Sequence, residues 1–218
     1  MPCACSSVSR ATARHFGDDW AGEELAAYHR DGPGQTTRRL LAALRSLAAR
    51  GSLLDVGSGI GVLALELLRA GMASATCVDI AGEALTVGQG EAVRQGVAER
   101  ITWREGDFVD LAAELPGADA VTLDRVVCCY PDYRPLLEAA AGHCRQLLAL
   151  SYPRDRWIVR IGLALENLWR RVRRDAFRAY LHSPDAIGRV LQENGLSPVH
   201  REETWKWEMR VYGRKRPP

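Results

Sequence analysis

Between residues 52 and 152 the apolar positions fall into short runs, separated by stretches in which they recur every three or four residues. The runs at 52–56, 74–80, about 101–104, 118–123 and 147–152 predict strands. The stretches between, at about 60–70, 82–95 and 132–145, predict helices. Alternation of this kind requires parallel strands joined by right-handed crossovers, because a parallel neighbour is beyond the reach of a tight hairpin. One helix carries a handicap: Gly88 and Gly90 each cost it roughly 1 kcal/mol against alanine.

Two helices are predicted ahead of this core. Residues 9–31 bring Phe16, Trp20, Tyr28, His29 and Arg30 to helical spacing and end at Gly32, Pro33 and Gly34. Thr36 or Thr37 then stands where a hydroxyl caps a second helix, whose stripe of Leu40, Leu41, Leu44, Leu47 and Ala48 is stopped by Gly51. After the fifth strand, residues 155–183 form one long amphipathic stretch. Ile158, Ile161, Leu165, Leu168 and Val172 repeat along it, and Arg156, Arg160, Arg170, Arg171 and Arg174 gather elsewhere. Its apolar stripe is expected to join the core as in an ordinary surface helix. The alternatives are a lid over a flat or lipid-like acceptor, or a basic face that touches a membrane. Ser183, Pro184 and Asp185 start a capped helix that Gly195 ends, and residues 196–215 alternate like a closing pair of strands. The expected organisation is a helical segment or lid at 1–50, then one α/β domain at 51–218 with a helical insertion at about 155–183.

Composition narrows the class. A chain of 218 residues with 47% hydrophobic and 26% charged positions buries most of its surface in one core. No run of eighteen uncharged apolar residues occurs and the first seventeen hold no signal core, so a cytoplasmic protein without a membrane span is expected. Six irregularly spaced cysteines do not make a disulfide framework, and Cys3 with Cys5 lacks the partners of a metal site, so no metal is expected. The net charge of +2 conceals an asymmetry: residues 151–218 hold 15 Lys and Arg against 8 Asp and Glu. A basic last third suits an anionic substrate or surface, and also an ordinary solvated face. No nucleic-acid-binding module accompanies it, so no nucleic-acid partner is expected.

The chemistry concentrates at "SLLDVGSGIGVLALELLRAG", where a strand runs through Gly57, Gly59 and Gly61 into a helix. In an open parallel sheet the first strand's loop is the usual ligand cradle. A dinucleotide site wants G-x-G-x-x-G with a pyrophosphate on the helix N-terminus, but the sixth position here is Val62, and Asp55 stands two residues ahead of the first glycine. A carboxylate there repels a pyrophosphate and attracts a cation, which favours S-adenosylmethionine, a sulfonium and ammonium bearer without phosphate. Asp79 ends "ATCVDI", at the distance of a carboxylate that accepts ribose hydroxyls. Asp107 and Phe108 in "REGDF" are placed to meet an adenine.

In these motifs the sequence resembles the class I S-adenosylmethionine-dependent methyltransferases, closest to the small-molecule type of ubiquinone and menaquinone biosynthesis. The resemblance runs through "LLDVGSGIG", "CVDI", "REGDF" and "DAVTLDRVVCCYPD" and covers about residues 50–152. It implies a Rossmann-like seven-stranded, mostly parallel sheet with an antiparallel last strand. It also implies Asp55, Gly57, Ser58, Gly59 and Gly61 around the methionine part of the cofactor, Asp79 and Ile80 at the ribose, and Asp107 with Phe108 at the adenine. S-adenosylhomocysteine would be the product. Asp124 would face the reaction centre. Relatives often carry histidines where Cys128 and Cys129 stand, a departure that removes one general base and leaves the cysteines to pack as small apolar groups. Of the candidate bases His15, His29, Asp124, His143 and His182, the expectation settles on Asp124 and His29, with His143 on the surface. The expected function is methyl transfer to a small acceptor, anionic or lipid-like. A catalytically silent cofactor-binding module and a nicotinamide-dependent oxidoreductase are the alternatives.

Overall fold

In the computed structural model residues 5–214 are described; Cys3 and the side chain of Cys5 lie outside this set. Three helices come first, α1 (Cys5–His15), α2 (Asp18–Asp31) and α3 (Gln35–Ser46). The alternating core follows as β1 (Ser52–Val56), α4 (Val62–Arg69), β2 (Ser74–Asp79), α5 (Gly82–Arg94), β3 (Ile101–Glu105), α6 (Phe108–Leu111) and β4 (Ala118–Asp124). Then come α7 (Tyr133–His143), β5 (Cys144–Pro153), α8 (Trp157–Val172), α9 (Pro184–Glu193), β6 (Leu196–Glu203) and β7 (Trp207–Arg214).

The strands form one seven-stranded sheet in the order β3-β2-β1-β4-β5-β7-β6. β1 to β5 pair in parallel, and β7 runs antiparallel to both β5 and β6. The chain steps outward from β1 to β3, then returns to the other side of β1 with β4. That reversal opens a crevice beyond the carboxyl ends of β1 and β4, where ligands of doubly wound sheets bind. One face packs on α7 and α9 through Leu136, Leu137, Ile187 and Leu191. The other packs on α3 and α4 through Leu40, Leu44, Leu65 and Leu68.

Besides the break at Gly17, the N-cap of α2, which makes two helices of the one expected at 9–31, three local readings change. Neither Thr36 nor Thr37 caps α3: Gly34 holds the N-cap position without a side-chain bond, and the Thr37 hydroxyl reaches Asp124 across the fold instead. Gly88 costs α5 helix propensity but lets it approach the glycine turn, since a Cβ there would lie 2.6 Å from the Ile60 carbonyl oxygen and 2.8 Å from the Trp103 ring. The third concerns α8, whose stripe does not join the core. Ile158, Ile161, Leu165, Leu168 and Val172 are all exposed, as are Trp157 and Trp169, and Val159 and Leu163 are the buried apolar residues of the helix. Hydrophobic periodicity is blind to direction, and here the polar Glu166 and Arg170 face the protein.

Candidate active site

The crevice holds a cavity of about 750 Å³ that extends from the glycine turn to α1 and α8. Asp55, Gly57, Ser58, Gly59, Asp79, Ile80, Asp107, Phe108 and Asp124 all line it. Gly61 and His29 do not. Gly61 caps α4 in a left-handed conformation, φ +76°, and a side chain there would strike Trp103 at 2.7 Å. Its role is to turn the chain and let the helix start. Gly57 is at φ +62°, with Val126 only 2.4 Å from where a Cβ would stand. Bare backbone is therefore required on both counts.

His29 is carried away from the crevice because α2 packs on α5. Its Nε2 lies 3.0 Å from Glu91, whose carboxyl is held down to about 2, chiefly by the Arg94 guanidinium, with Gln95 and His29 adding to it. The histidine that lines the cavity is His15, stacked on Phe177 with ring centroids 4.4 Å apart and bonded by Arg170 at 3.1 Å. Burial, and then Arg170, lower its pKa below the usual 6.5. His143 is half-buried rather than on the surface, its ring between the carbonyls of Ala139 and Ala112 and edge-on to Phe108.

Each carboxylate has distinct partners. Asp79 accepts the Gly59 and Ala81 amides at 2.7 and 2.9 Å, which ties the end of β2 to the glycine turn. Asp107 accepts the Val109 amide at 3.0 Å and the Tyr130 hydroxyl at 2.9 Å. Asp124 takes hydroxyl bonds on both oxygens, from Thr37 at 2.6 Å and Ser151 at 2.5 Å. The next residue, Arg125, sits at φ +63° with its amide bonded to Ser151, a left-handed conformation uncommon for a side chain of this size. This kink sets Val126 against Gly57, and Cys128 and Cys129 both face the cavity while bonding the Arg125 carbonyl.

Asp55 is the exception. It is 2% exposed and accepts the Thr122 hydroxyl at 2.6 Å, with the Ala64 amide also turned to its carboxyl; Oδ2 and the Ser58 hydroxyl, which lies by the Cys77 thiol, complete no hydrogen bond within the protein. Burial pushes its carboxyl up to about 7, and the charges of Asp124 and Asp79 push the same way. Three carboxylates thus surround a cradle of bare backbone, an arrangement that a pyrophosphate would aggravate and a cationic ligand would relieve. The unsatisfied oxygens of Asp55 and Ser58 fit a donor carrying an ammonium and a sulfonium.

Residues 53–149 match the methyltransferase-domain family. Over that segment, from β1 into β5, the chain is similar to methyltransferase domains. Over 125 residues it is 31% identical to ribosomal protein L11 methyltransferase of Gloeobacter violaceus, an alignment covering 56% of this chain and 40% of that protein. The chain thus spans less than half the length of this curated relative. Among solved structures, magnesium protoporphyrin IX methyltransferase of Synechocystis PCC 6803, crystallised with S-adenosylhomocysteine, superposes with a TM-score of 0.70 at 21% identity over 83% of each chain. An O-methyltransferase family protein of Burkholderia thailandensis gives 0.63 at 15% identity, over 82% of this chain and 58% of that one. At these identities the superpositions speak for the fold of the methyltransferase domain, and the acceptor has to be argued from the cavity.

Proposed function

We propose that the chain transfers a methyl group from S-adenosylmethionine to a small, largely apolar acceptor bearing an anionic group. The observation that carries this reading is the continuity of the cavity. Its carboxylate-lined end suits a cationic donor and lies under Trp20, whose ring packs against Gly59, while α8 and the segment after it bring the apolar Leu163 and Phe177 and the cationic Arg170 to the wall, which Lys206 also lines. Arg170 lies over the Phe177 ring at 5.0 Å, and its buried Nε has no hydrogen-bond partner. An acceptor carboxylate would satisfy it.

In this reading Gly57 and Gly59 let the backbone approach the methionine part, Asp55 and Ser58 face its charges, Asp79 and Ile80 hold the ribose, and Asp107 with Phe108 the adenine. Gly61 acts indirectly through the turn. When bound, the donor supplies an activated methyl on a good leaving group. The chain's own work is then alignment, worth up to roughly 7 to 11 kcal/mol in intramolecular models. α1 and α2 serve as the cover, because α3 contributes Leu40, Leu41 and Leu44 to the core. Where the acceptor carries a proton, His15 is the base within reach, in place of His29.

The L11 methyltransferase relatives favour a second reading, a protein acceptor. Methyl-labelled S-adenosylmethionine offered with a panel of aromatic and fatty carboxylic acids, and separately with ribosomal protein, tests both. Label on a small acid supports the proposal; label on protein alone replaces it. Calorimetric binding of S-adenosylmethionine with no acceptor found would favour the silent module, and tight binding of NAD instead would overturn the donor assignment.

A further inference from the structure

α8 is amphipathic in the inverted sense: its polar residues Glu166 and Arg170 face the cavity and its apolar stripe faces solvent. At 3.6 residues per turn, Trp157, Ile158, Ile161, Leu165, Leu168, Trp169 and Val172 occupy an arc of about 120°, nearly opposite the buried Val159 and Leu163. Each of the seven is at least 51% exposed, which is abnormal for so many large apolar side chains on one continuous face. Between 155 and 175 the chain has six arginines and three acids; Asp155 binds Arg160, Glu166 and Asp175 bind Arg170, and among the described residues Arg156, Arg171, Arg173 and Arg174 make no ion pair. Arg160 and Arg171 border one side of the stripe and Arg173, stacked over Trp169 at 4.1 Å, borders the other.

We propose that α8 docks this protein flat on an anionic lipid surface, with its apolar arc in the acyl boundary and its arginines among the headgroups. Apolar stripe, tryptophans at both edges of the arc and flanking cations are the features of a helix that lies in the interface. The 3-4-3-4 spacing of the stripe would also suit a second copy of the helix. The positions beside it, however, are Trp157, Gly162, Ala164, Trp169 and Arg171, without one acid to answer an arginine, so charge complementarity selects the membrane. Docking would also put Leu163, Glu166 and Arg170, on the cavity side of the same helix, within one helix diameter of the lipid.

Flotation of the full chain with vesicles of phosphatidylcholine, or of phosphatidylcholine mixed with phosphatidylglycerol, tests this without reference to catalysis. The wild type is expected to float with the anionic vesicles, less so in high salt. Ile161→Glu with Leu165→Glu should abolish flotation, and Arg171→Gln with Arg173→Gln and Arg174→Gln should weaken it severalfold. Both variants should keep the wild-type circular dichroism and S-adenosylmethionine affinity, since none of these side chains lines the cavity. Absence of flotation by the wild type overturns the proposal, as does equal flotation of the variants. A wild-type dimer in light scattering that the Ile161 and Leu165 substitutions dissolve, without vesicle binding, would mean that a second copy covers the stripe.

Discussion

Replacing Asp55 by asparagine removes one charge from the cradle with almost no change of shape, and its consequences for stability and for binding have opposite signs. The native carboxyl titrates near 7 rather than 3.8, because burial and two neighbouring carboxylates disfavour its charge. The folded state therefore holds this proton more tightly than the unfolded chain. The stabilisation is complete below the unfolded value and is lost as pH rises towards 7. Between ~pH 5.5 and ~pH 8 that loss is about 2 kcal/mol in the ligand-free protein. Asp55→Asn has no such titration, so urea unfolding should show the wild type losing this increment with rising pH and the variant not. Binding runs the other way. A cationic donor requires the ionised carboxylate, so calorimetry should show wild-type affinity for S-adenosylmethionine falling about tenfold from ~pH 8 to ~pH 6. The variant should bind at least about tenfold more weakly at the higher pH, with little pH dependence. Parallel stability profiles for the two proteins, or an affinity indifferent to both pH and substitution, would refute Asp55 as the seat of a cation.

Other substitutions separate the parts of the site. Gly57→Val should abolish binding of S-adenosylmethionine and S-adenosylhomocysteine in calorimetry, since its Cβ meets Val126 and φ is +62°; retained affinity would mean the turn does not carry the donor. Asp79→Ala, which frees the Gly59 and Ala81 amides, should weaken adenosyl binding at least about tenfold, and Asp79→Asn, which keeps one acceptor, should do so less. His29→Ala should leave kcat within about twofold and lower unfolding stability by about 1 kcal/mol, the scale of one hydrogen bond; a hundredfold loss of kcat would return the base to α2. His15→Ala should lower kcat/KM for the acceptor about fivefold or more with the affinity for S-adenosylmethionine unchanged, given that it touches the acceptor end of the cavity.

The parallel core was readable because its signals are local. Strand runs and helical stretches are set by neighbours in sequence, and the ranges at 52–56 and 82–95 lie within a residue of β1 and α5. The glycine turn and the acids Asp55, Asp79 and Asp107 could be located because each lies at or just past the end of a strand. Interactions across the fold were not. Nothing near Thr37 announces that its hydroxyl will bond Asp124, 87 positions away, rather than cap its own helix. His15 and His29 carry equivalent local signals, and only the packing of α2 on α5 sends the second to Glu91 and leaves the first at the cavity. The stripe of α8 has a period that sequence shows and a direction that it does not.

The engaged state of Asp124 bears on the kind of acceptor that this site can serve. Thr37 and Ser151 each donate to one of its oxygens, which takes two of the carboxylate's about four lone-pair sites and anchors it between α3 and β5. Of the histidines, His15 is in the cavity wall, and it is tied to Arg170 and lies near Asp175. A site so furnished is poorly equipped for amines and phenols and well equipped for a nucleophile that is already an anion, which needs only to be aligned. The pH dependence distinguishes these cases. With a carboxylate acceptor kcat should be flat above neutral pH, and His15→Ala should act mainly through KM by loosening Arg170. With a phenol kcat should fall on the acid side as His15 protonates, below its ordinary 6.5 because burial and Arg170 lower it, and His15→Ala should remove that limb. A steep acid limb that survives His15→Ala would place the base elsewhere and overturn the assignment of His15.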